Sequence, residues 1–357
     1  MRSAQPWAFI SHHQPCGRVG HPLPLRGKSA FSCKISKVSR VHQMTENQPD
    51  HGGGIDAAVA HWGGVRGDWL DLSTGINPVP YPLPPLSPTD WTALPDHAAQ
   101  TALIAAARAF WCVPDGAAVL ATPGASALIA RIPGLAPRAR VRITGPTYNE
   151  HARAFTAQGW SVTDVKTEAW VIVHPNNPDG RLHPLPDAAL TVVDESFCDV
   201  TPEASHIGAA TRPGMLILKS FGKFWGLAGL RLGFAIGDPD LITALAVSCG
   251  PWPVSGPALH IGAAALRDGV WAQATRTRLT DDAARLDALM AGAGAKPIGG
   301  TSLFRLYDTE SASLWQDRLC RHRILSRVFP YSDRWLRLGL PGTPADWARL
   351  QRAVSAS

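Results

Sequence analysis

The chain has few of the features expected of a metal-binding, secreted or membrane protein. Its 357 residues include only six cysteines, and no two of them form a Cys-x-x-Cys pair. This scatter argues against a zinc site and fits thiols kept reduced in the cytoplasm. No apolar run is long enough to cross a bilayer, and no internal repeat is present. A chain of this length can bury a large core, and we expect two lobes.

Acidic residues are missing from one segment. Residues 1–43 contain seven Lys or Arg side chains and no Asp or Glu, whereas the rest of the chain has 27 basic against 28 acidic side chains. The net charge of +6 is therefore confined to this segment, and a neutral body argues against a nucleic-acid partner. The segment also lacks the apolar core of a signal peptide. We interpret residues 1–43 as a disordered leader or a mis-called start before Met44, with a transit peptide as the alternative.

The remaining sequence predicts three regions of an α/β protein. Residues 44–90, rich in Gly and Pro, form an N-terminal arm and part of a small domain. Residues 91–250 alternate strand and helix patterns, which predicts a large domain with a mainly parallel sheet between helices. Residues 251–357 contain an alanine-rich hinge helix at Ala258–Ala293 and a C-terminal small α+β domain, including a strand at Leu325–Phe329.

Lys223 is the first candidate catalytic residue. It follows the apolar run Met215–Leu218, and the glycines around it interrupt the strand pattern, so the lysine is expected on a loop at the strand's carboxyl end. Lys223 has apolar neighbours and an arginine, Arg231, eight positions later, and both features favour a lowered pKa of its amine. An amine of lowered pKa can bond covalently to a carbonyl group. A lone Ser-x-x-Lys is more often a surface lysine, so the prediction depends on the other strand ends.

Three further strands end in polar groups. One runs into an Asn-Pro-x-Gly turn at Asn177, another ends at Asp194, and a third leads into the small-residue turn Gly124–Ser126 before a helix. Such a turn offers free backbone N–H groups and the positive end of a helix dipole, which suits a phosphate. Ligands of open parallel sheets bind beyond the carboxyl ends of the strands, so these ends are expected to converge on one site.

The order of these motifs resembles the fold-type-I enzymes of the class I/II aminotransferase superfamily, which use pyridoxal 5'-phosphate. Their spacing agrees: 17 residues separate Asn177 from Asp194, 29 separate Asp194 from Lys223, and eight separate Lys223 from Arg231. The resemblance spans roughly residues 50 to 340 and implies a large domain and a small α+β domain.

The resemblance implies a role for each residue. Lys223 would hold the cofactor covalently and then move protons, while Asp194 would pair with the pyridinium nitrogen. Asn177 would donate a hydrogen bond to the phenolic oxygen. The cofactor phosphate would be bound by five residues: Gly124, Ala125, Ser126, Ser220 and Arg231. Tyr148 would stack on the ring; without the resemblance it could equally be a tyrosine packed at a strand end.

Four residues are candidates for substrate binding. Arg337, in Leu336–Gly339, resembles the arginine that binds the substrate α-carboxylate in a bidentate pair; the alternative is a surface arginine on an edge strand. Arg327 resembles a second, substrate-facing arginine. His51 resembles a histidine placed near the substrate phosphate, although a histidine in a glycine-rich arm is often simply solvated. Asn77 resembles a residue at the mouth of the site and could equally form a turn.

The chain also resembles the threonine-phosphate decarboxylases of cobalamin biosynthesis, a family related to histidinol-phosphate aminotransferase. The similarity lies in His51–Gly54, Leu70–Pro78, Asp194–Phe197 and Trp252–Pro257. It implies decarboxylation of L-threonine O-3-phosphate to (R)-1-aminopropan-2-yl phosphate by a homodimer. Phe197, where many aminotransferases have tyrosine, resembles the decarboxylase branch. A histidinol-phosphate-type aminotransferase remains the alternative, because the two classes share nearly all the motifs.

One position departs from the family pattern. Leu94, in Leu94-Pro95-Asp96, stands where the family commonly has a tyrosine that reaches the cofactor phosphate of the neighbouring subunit. Leucine cannot donate that hydrogen bond. The resemblance therefore does not define this intersubunit contact.

Overall fold

A computed structural model describes residues 51–355, and the leader predicted for residues 1–43 lies outside them. The described part contains ten α-helices: α1 Ile55–Trp62, α2 Pro88–Thr92, α3 His97–Phe110, α4 Ala125–Ile129, α5 Glu150–Ala157, α6 Pro239–Cys249, α7 Gly256–Arg267, α8 Gly269–Gly292, α9 Ala312–Arg321 and α10 Pro344–Ser355. Its strands are β1 Leu70–Asp71, β2 Ala118–Thr122, β3 Arg140–Ile143, β4 Ser161–Val162, β5 Ala169–Val173, β6 Leu190–Asp194, β7 Met215–Ser220, β8 Gly233–Gly237, β9 Lys296–Thr301, β10 Phe304–Asp308, β11 Ile324–Leu325, β12 Arg327–Phe329 and β13 Ser332–Gly339.

A seven-stranded sheet carries the polar strand ends. Its order is β2-β8-β7-β6-β5-β3-β4, and β4, β3, β5, β6 and β7 run parallel to one another. Only β8 is antiparallel to its neighbours, β2 and β7. Because β2 and β7 are both antiparallel to β8, they run in the same direction. The carboxyl ends of β2, β5, β6 and β7 therefore lie at one edge of the sheet. The prediction of a mainly parallel sheet is confirmed.

Helices cover both faces of this sheet. Adjacent residues of one strand enter different cores: Val192 and Leu216 pack with residues of α5 and α6, whereas Val193 and Ile217 pack with residues of α3 and α7. Burial on both faces explains why β6 and β7 are nearly continuous apolar runs rather than alternating ones. The fold is α/β, as predicted.

A second, four-stranded sheet lies in the C-terminal region. Its order is β12-β13-β10-β9, and all its neighbouring strands are antiparallel. The separate pair β1–β11 joins the N-terminal arm to the C-terminal region, with Leu70 opposite Ile324. The single strand predicted at Leu325–Phe329 is therefore wrong, because β11 and β12 belong to different sheets. The other domain boundaries stay predictions.

The single hinge helix predicted at Ala258–Ala293 is also wrong. Two helices, α7 and α8, occupy this stretch and meet at Asp268. The carboxylate of Asp268 accepts a hydrogen bond of 2.9 Å from the backbone N–H of Trp271, which caps the start of α8. An aspartate inside an apolar helical pattern was the available signal for this break. Between residues 51 and 355, no helix combines the length and apolar character that a membrane span requires.

Candidate active site

Lys223 lies on the loop that follows β7, here called the lysine loop (residues 221–226). The backbone oxygen of Lys223 accepts hydrogen bonds from the N–H groups of Asn77 (3.0 Å) and Gly226 (3.1 Å), which hold the loop in place. Its amine Nζ lies 5.3 Å from the ring centroid of Phe197. Burial lowers the pKa of Lys223 to about 8, and the charge of Arg337 lowers it further than the opposing charge of Asp194 raises it. The lysine therefore has the lowered pKa predicted from the sequence.

Asp194 ends β6 with a buried carboxylate. Its Oδ2 lies 2.9 Å from Nε2 of His151, and its Oδ1 accepts hydrogen bonds from the hydroxyl (2.5 Å) and backbone N–H (3.0 Å) of Ser196. Burial alone would raise the pKa of Asp194, but the bonds and charge from His151 and Ser196 outweigh it and lower the pKa. The side chain is held as a carboxylate, suited to a cationic ring nitrogen.

The sequence reasoning missed His151. This residue is buried in the first turn of α5, three positions after Tyr148. Tyr148 lies before the start of α5 at Glu150, so helical spacing does not link the two residues in the sequence. A lone histidine beside an aromatic residue is otherwise a common core feature, so the partner carboxylate could not be read from the sequence.

Arg337, on β13 of the C-terminal sheet, contacts Asn177. Its Nη1 donates to Oδ1 of Asn177, and its Nη2 donates to the backbone oxygen of Ser73 at 2.6 Å. The guanidinium lies 5.1 Å from the ring centroid of Phe304. Burial lowers the pKa of Arg337 to about 10, assisted by the charge of Arg327. Its Nε is buried without a hydrogen-bond partner. An arginine this buried with an unused donor suits an anionic ligand.

The turn after β2 packs directly against Arg231. Gly124 has a φ of +89°, and a Cβ there would come within 2.6 Å of Nη2 of Arg231. A Cβ at Gly233 would come within 2.4 Å of the backbone nitrogen of Ala125. Only glycine leaves room for the guanidinium beside the turn. Ser126 lies in the first turn of α4, and the hydroxyl of Ser220 accepts a 3.3 Å bond from the N–H of Gly222.

Tyr148 follows β3 and lies between two histidines. Its ring centroid is 5.7 Å from that of His51 and 6.2 Å from that of His151. Burial raises the pKa of Tyr148 to about 12, and the nearby carboxylates of Glu150 and Asp194 raise it further than the arginines lower it. Nε2 of His51 lies 2.9 Å from Oε1 of Glu150. The structure therefore brings His51 next to the tyrosine, while its contact with a substrate phosphate stays a prediction.

Arg327 lies opposite Arg337 in the antiparallel pair β12–β13. Its guanidinium is 5.3 Å from the ring centroid of Phe329. Two arginines in register concentrate positive charge beside the site. This arrangement is compatible with a substrate that carries two anionic groups, although the role of Arg327 stays a prediction.

Asn77 is buried and its side chain already has several partners. Its Nδ2 donates to the backbone oxygen of Phe224 at 2.8 Å, and its Oδ1 accepts from Nη2 of Arg278 (2.7 Å) and the N–H of Val79 (3.1 Å). The bond to Val79 is the turn contact considered as the alternative from the sequence. Asn77 thus supports the lysine loop, and its predicted contact with the substrate stays a prediction.

Phe197 forms an aromatic wall with Phe304. The two rings meet edge to face with centroids 4.9 Å apart. A Cβ on Gly75 would lie 2.8 Å from Phe304 and 2.9 Å from Phe197, so glycine is needed where the arm passes this wall. Lys223 and Arg337 each lie near one of the rings, one cation beside each phenylalanine.

Known proteins are similar to this chain over most of its length. The sequence profile described as "Aminotransferase class I and II" matches residues 90–354. The chain belongs to this family. A threonine-phosphate decarboxylase from Sinorhizobium sp is 42% identical over 326 residues, covering 85% of this chain and 97% of that protein. A second protein of that name, from Pseudomonas aeruginosa, is 39% identical over 328 residues, with the same coverage of 85% and 97%.

A solved structure shows the same fold. The structure is a histidinol-phosphate aminotransferase from Sinorhizobium meliloti in complex with pyridoxal-5'-phosphate. It superposes with a TM-score of 0.71 at 17% identity, covering 90% of this chain and 98% of that chain. At this identity the likeness establishes the architecture alone.

The residues of this aminotransferase-family site fit pyridoxal phosphate. The Gly124 turn leaves space that a Cβ would fill, with Arg231 against it, and this suits a phosphate. Asp194 is held as a carboxylate for the ring nitrogen, and Tyr148 is the aromatic residue beside it. Lys223 supplies a partly buried amine of lowered pKa for the aldehyde. This donor set matches the phosphate, ring and aldehyde of the cofactor.

The lowered pKa of Lys223 predicts a pH dependence. Only the unprotonated amine reacts with an aldehyde, so the rate at which cofactor-free protein binds pyridoxal phosphate covalently should rise with pH and level off above about 8. An ordinary lysine, with a pKa of about 10.4, would still be gaining rate well above that pH. Stopped-flow absorbance across pH 6–10 measures the midpoint.

The matched variant for this measurement is Arg337→Gln. It removes one of the positive charges that lower the pKa of Lys223, so the midpoint should move upward. A wild-type midpoint at the ordinary lysine value, or a downward move in Arg337→Gln, would contradict the electrostatics described for this site.

Proposed function

We propose that this chain is a pyridoxal-phosphate-dependent threonine-phosphate decarboxylase, which converts L-threonine O-3-phosphate to (R)-1-aminopropan-2-yl phosphate and CO2. The observation that carries the proposal is the likeness to two decarboxylases of that name along almost their whole length. The site geometry supports it, because buried Arg337, a candidate ligand for the carboxylate, has Arg327 opposite it in the C-terminal sheet and is close enough to Lys223 to lower its pKa.

Arg337 binds the substrate carboxylate in this proposal. The guanidinium is held by Asn177 and the backbone of Ser73, so it is oriented before the substrate arrives. Its buried Nε has no partner in the protein, and a carboxylate oxygen would satisfy it. Preorganisation of this kind fixes the direction of the bond between Cα and the carboxylate, which decides whether that bond or the Cα–H bond breaks.

Residues at the carboxyl ends of the strands would orient the cofactor. Pyridoxal phosphate, when bound, supplies an electron sink for the pair left at Cα when CO2 departs. Asp194, held as a carboxylate by His151 and Ser196, would keep the ring nitrogen protonated. Phe197 has no hydroxyl to offer the phenolic oxygen, which leaves Asn177 as the donor proposed there.

Lys223 then moves protons at Cα. Lys223 would hold the cofactor through Nζ, and as a free amine with a pKa lowered to about 8 it could accept and return a proton near neutral pH. In decarboxylation the ammonium form donates its proton to Cα after the carboxylate has left. Partial burial and the neighbouring ring of Phe197 limit access of water to this proton.

The cellular context is also part of the proposal. The product would serve cobalamin biosynthesis, and the enzyme would act as a homodimer in the cytoplasm. The cytoplasm is compatible with Cys112, Cys198, Cys249 and Cys320, which form no disulfide in the described structure. A dimer is compatible with the exposed apolar residues Trp91 and Leu94, which are 69% and 67% accessible in the single chain.

Substrate comparison tests the proposed function. The purified protein with pyridoxal phosphate should release CO2 from threonine phosphate and form an amino alcohol phosphate, identified by NMR. Threonine should react more slowly, because it lacks the second anion. Histidinol phosphate with 2-oxoglutarate should yield little glutamate. Rapid glutamate formation from histidinol phosphate, without CO2 release from threonine phosphate, would favour the aminotransferase alternative.

A further inference from the structure

A buried cluster of three charged side chains lies beside the strand ends of the site. Glu195 follows Asp194 in sequence, and Lys219 precedes Ser220. Nζ of Lys219 lies 2.6 Å from Oε2 of Glu195 and 3.9 Å from Oδ1 of Asp199. The three side chains are at most 4% exposed. The proposed mechanism gives none of the three a role.

Burial of these charges needs a physical reason, because charged groups are costly to remove from water unless they are paired and hydrogen-bonded. Oε2 of Glu195 accepts a bond from the hydroxyl of Ser205, and Oε1 accepts one from the backbone N–H of His206, both at 2.6 Å. Arg276 donates to the backbone oxygen of Asp199 at 2.8 Å and brings a second cation to the cluster. Well-packed apolar residues could fill the same space, so stability alone does not explain the arrangement.

Asp199 connects the cluster to the lysine loop. Its Oδ2 accepts a bond of 3.2 Å from the indole Nε1 of Trp225, which lies two residues after Lys223. The Trp225 ring stacks on Phe221, with centroids 5.2 Å apart and planes 13° apart. The other oxygen, Oδ1, accepts a 2.8 Å bond from Nε1 of Trp111, at the end of α3. One carboxylate thus binds two tryptophans, and only one of them belongs to the lysine loop.

We propose that Glu195, Lys219 and Asp199 are positioning residues for the lysine loop. The ion pair between Glu195 and Lys219 connects the end of β6 to the end of β7. Asp199 lies next to Lys219 and connects this pair to the loop through its hydrogen bond with Trp225. The cluster therefore sets the position of Lys223 relative to the strand ends that carry the other cofactor ligands. The inference rests on the proposed covalent role of Lys223 and is independent of whether the reaction is decarboxylation or amino transfer.

The two tryptophans provide a matched test. Trp225→Phe and Trp111→Phe each remove one indole donor from Asp199 and keep an aromatic ring, but only the first loosens the lysine loop. The rate of covalent pyridoxal phosphate attachment to cofactor-free protein, trapped with borohydride, is measured per folded molecule and as a function of pH. Trp225→Phe should slow attachment about ten- to a hundredfold, as expected for a misplaced reacting group. Trp111→Phe should stay within about threefold of wild type.

Equal slowing in both variants, or wild-type attachment in Trp225→Phe, would overturn the proposal. Glu195→Gln gives a second test if either tryptophan variant folds poorly, because it keeps the shape of the side chain and removes the charge facing Lys219. It should slow attachment at every pH; a lower melting temperature with unchanged attachment would also overturn the proposal. Absence of covalent attachment in wild type would instead contradict the proposed role of Lys223, and the reaction assays test the choice of reaction separately.

Discussion

Lys223→Ala is expected to abolish turnover of threonine phosphate while leaving the fold intact. The variant loses both the covalent bond to the cofactor and the group that moves protons at Cα, and proton transfer by a positioned side chain alone contributes about 10²–10⁴-fold. Lys223 holds the loop through its backbone oxygen, which bonds to Asn77 and Gly226 in any substitution. We therefore expect a melting temperature close to that of wild type and an activity at least about a thousandfold lower.

The matched control for this experiment is Lys296→Ala. Lys296 is an exposed lysine on β9, in the C-terminal sheet, and lies outside the site. Both proteins are incubated with pyridoxal phosphate, reduced with borohydride, and digested for mass spectrometry. The control should carry the cofactor on the peptide that contains Lys223, and Lys223→Ala should carry none. Turnover near the wild-type rate in folded Lys223→Ala would show that the lysine is not catalytic.

Arg337→Ala is expected to impair every amino-acid substrate. The guanidinium is buried, and removal of one partner from a buried, hydrogen-bonded charge pair costs about 2–5 kcal/mol. That cost corresponds to a loss of roughly 30- to several-thousandfold in kcat/KM, at 1.4 kcal/mol for each factor of ten. Steady-state kinetics with threonine phosphate and threonine should show losses of similar size for the two substrates, because both carry the carboxylate.

Arg327→Ala is the control that separates binding of the carboxylate from binding of the phosphate. Arg327 lies opposite Arg337 on the neighbouring strand, so the two variants remove like charges at nearly the same place. We expect Arg327→Ala to reduce mainly the preference for threonine phosphate over threonine. An unchanged preference in Arg327→Ala would place the phosphate pocket elsewhere. A loss in Arg337→Ala that is confined to threonine phosphate would show that Arg337 binds the phosphate rather than the carboxylate.

Much of the fold could be predicted because parallel strands buried on both faces leave a strong sequence pattern. β6 and β7 are nearly continuous apolar runs that end in polar residues, so the sequence alone places the strand ends. The convergence of Asp194, Asn177 and Lys223 then follows from the common direction of the strands. The reversed strand β8 carries no comparable signal, because a strand's direction is not encoded in its own residues.

The contacts that hold the site residues in place could not be predicted in the same way. Some contacts join segments that are distant in sequence, such as His151 with Asp194 and Arg278 with Asn77. They depend on tertiary packing, which no local sequence pattern predicts. Short interruptions were also missed, since Asp268 ends one helix and caps the next within an otherwise helical sequence. Glu195 and Lys219 each lie within or beside an apolar strand, and the partner of each becomes apparent only when β6 and β7 are paired.

Repeated turnover without an amino acceptor tests the central claim most directly. An aminotransferase stops after about one turnover per site without a 2-oxo acid, because the amino group stays on the cofactor, whereas a decarboxylase regenerates its cofactor in each cycle. The purified protein, loaded with pyridoxal phosphate, is given excess threonine phosphate with no 2-oxo acid, and CO2 is measured per active site. We expect CO2 to exceed the number of sites many times over. CO2 release that stays below one per site, with amino transfer appearing only on addition of 2-oxoglutarate, would contradict the proposal.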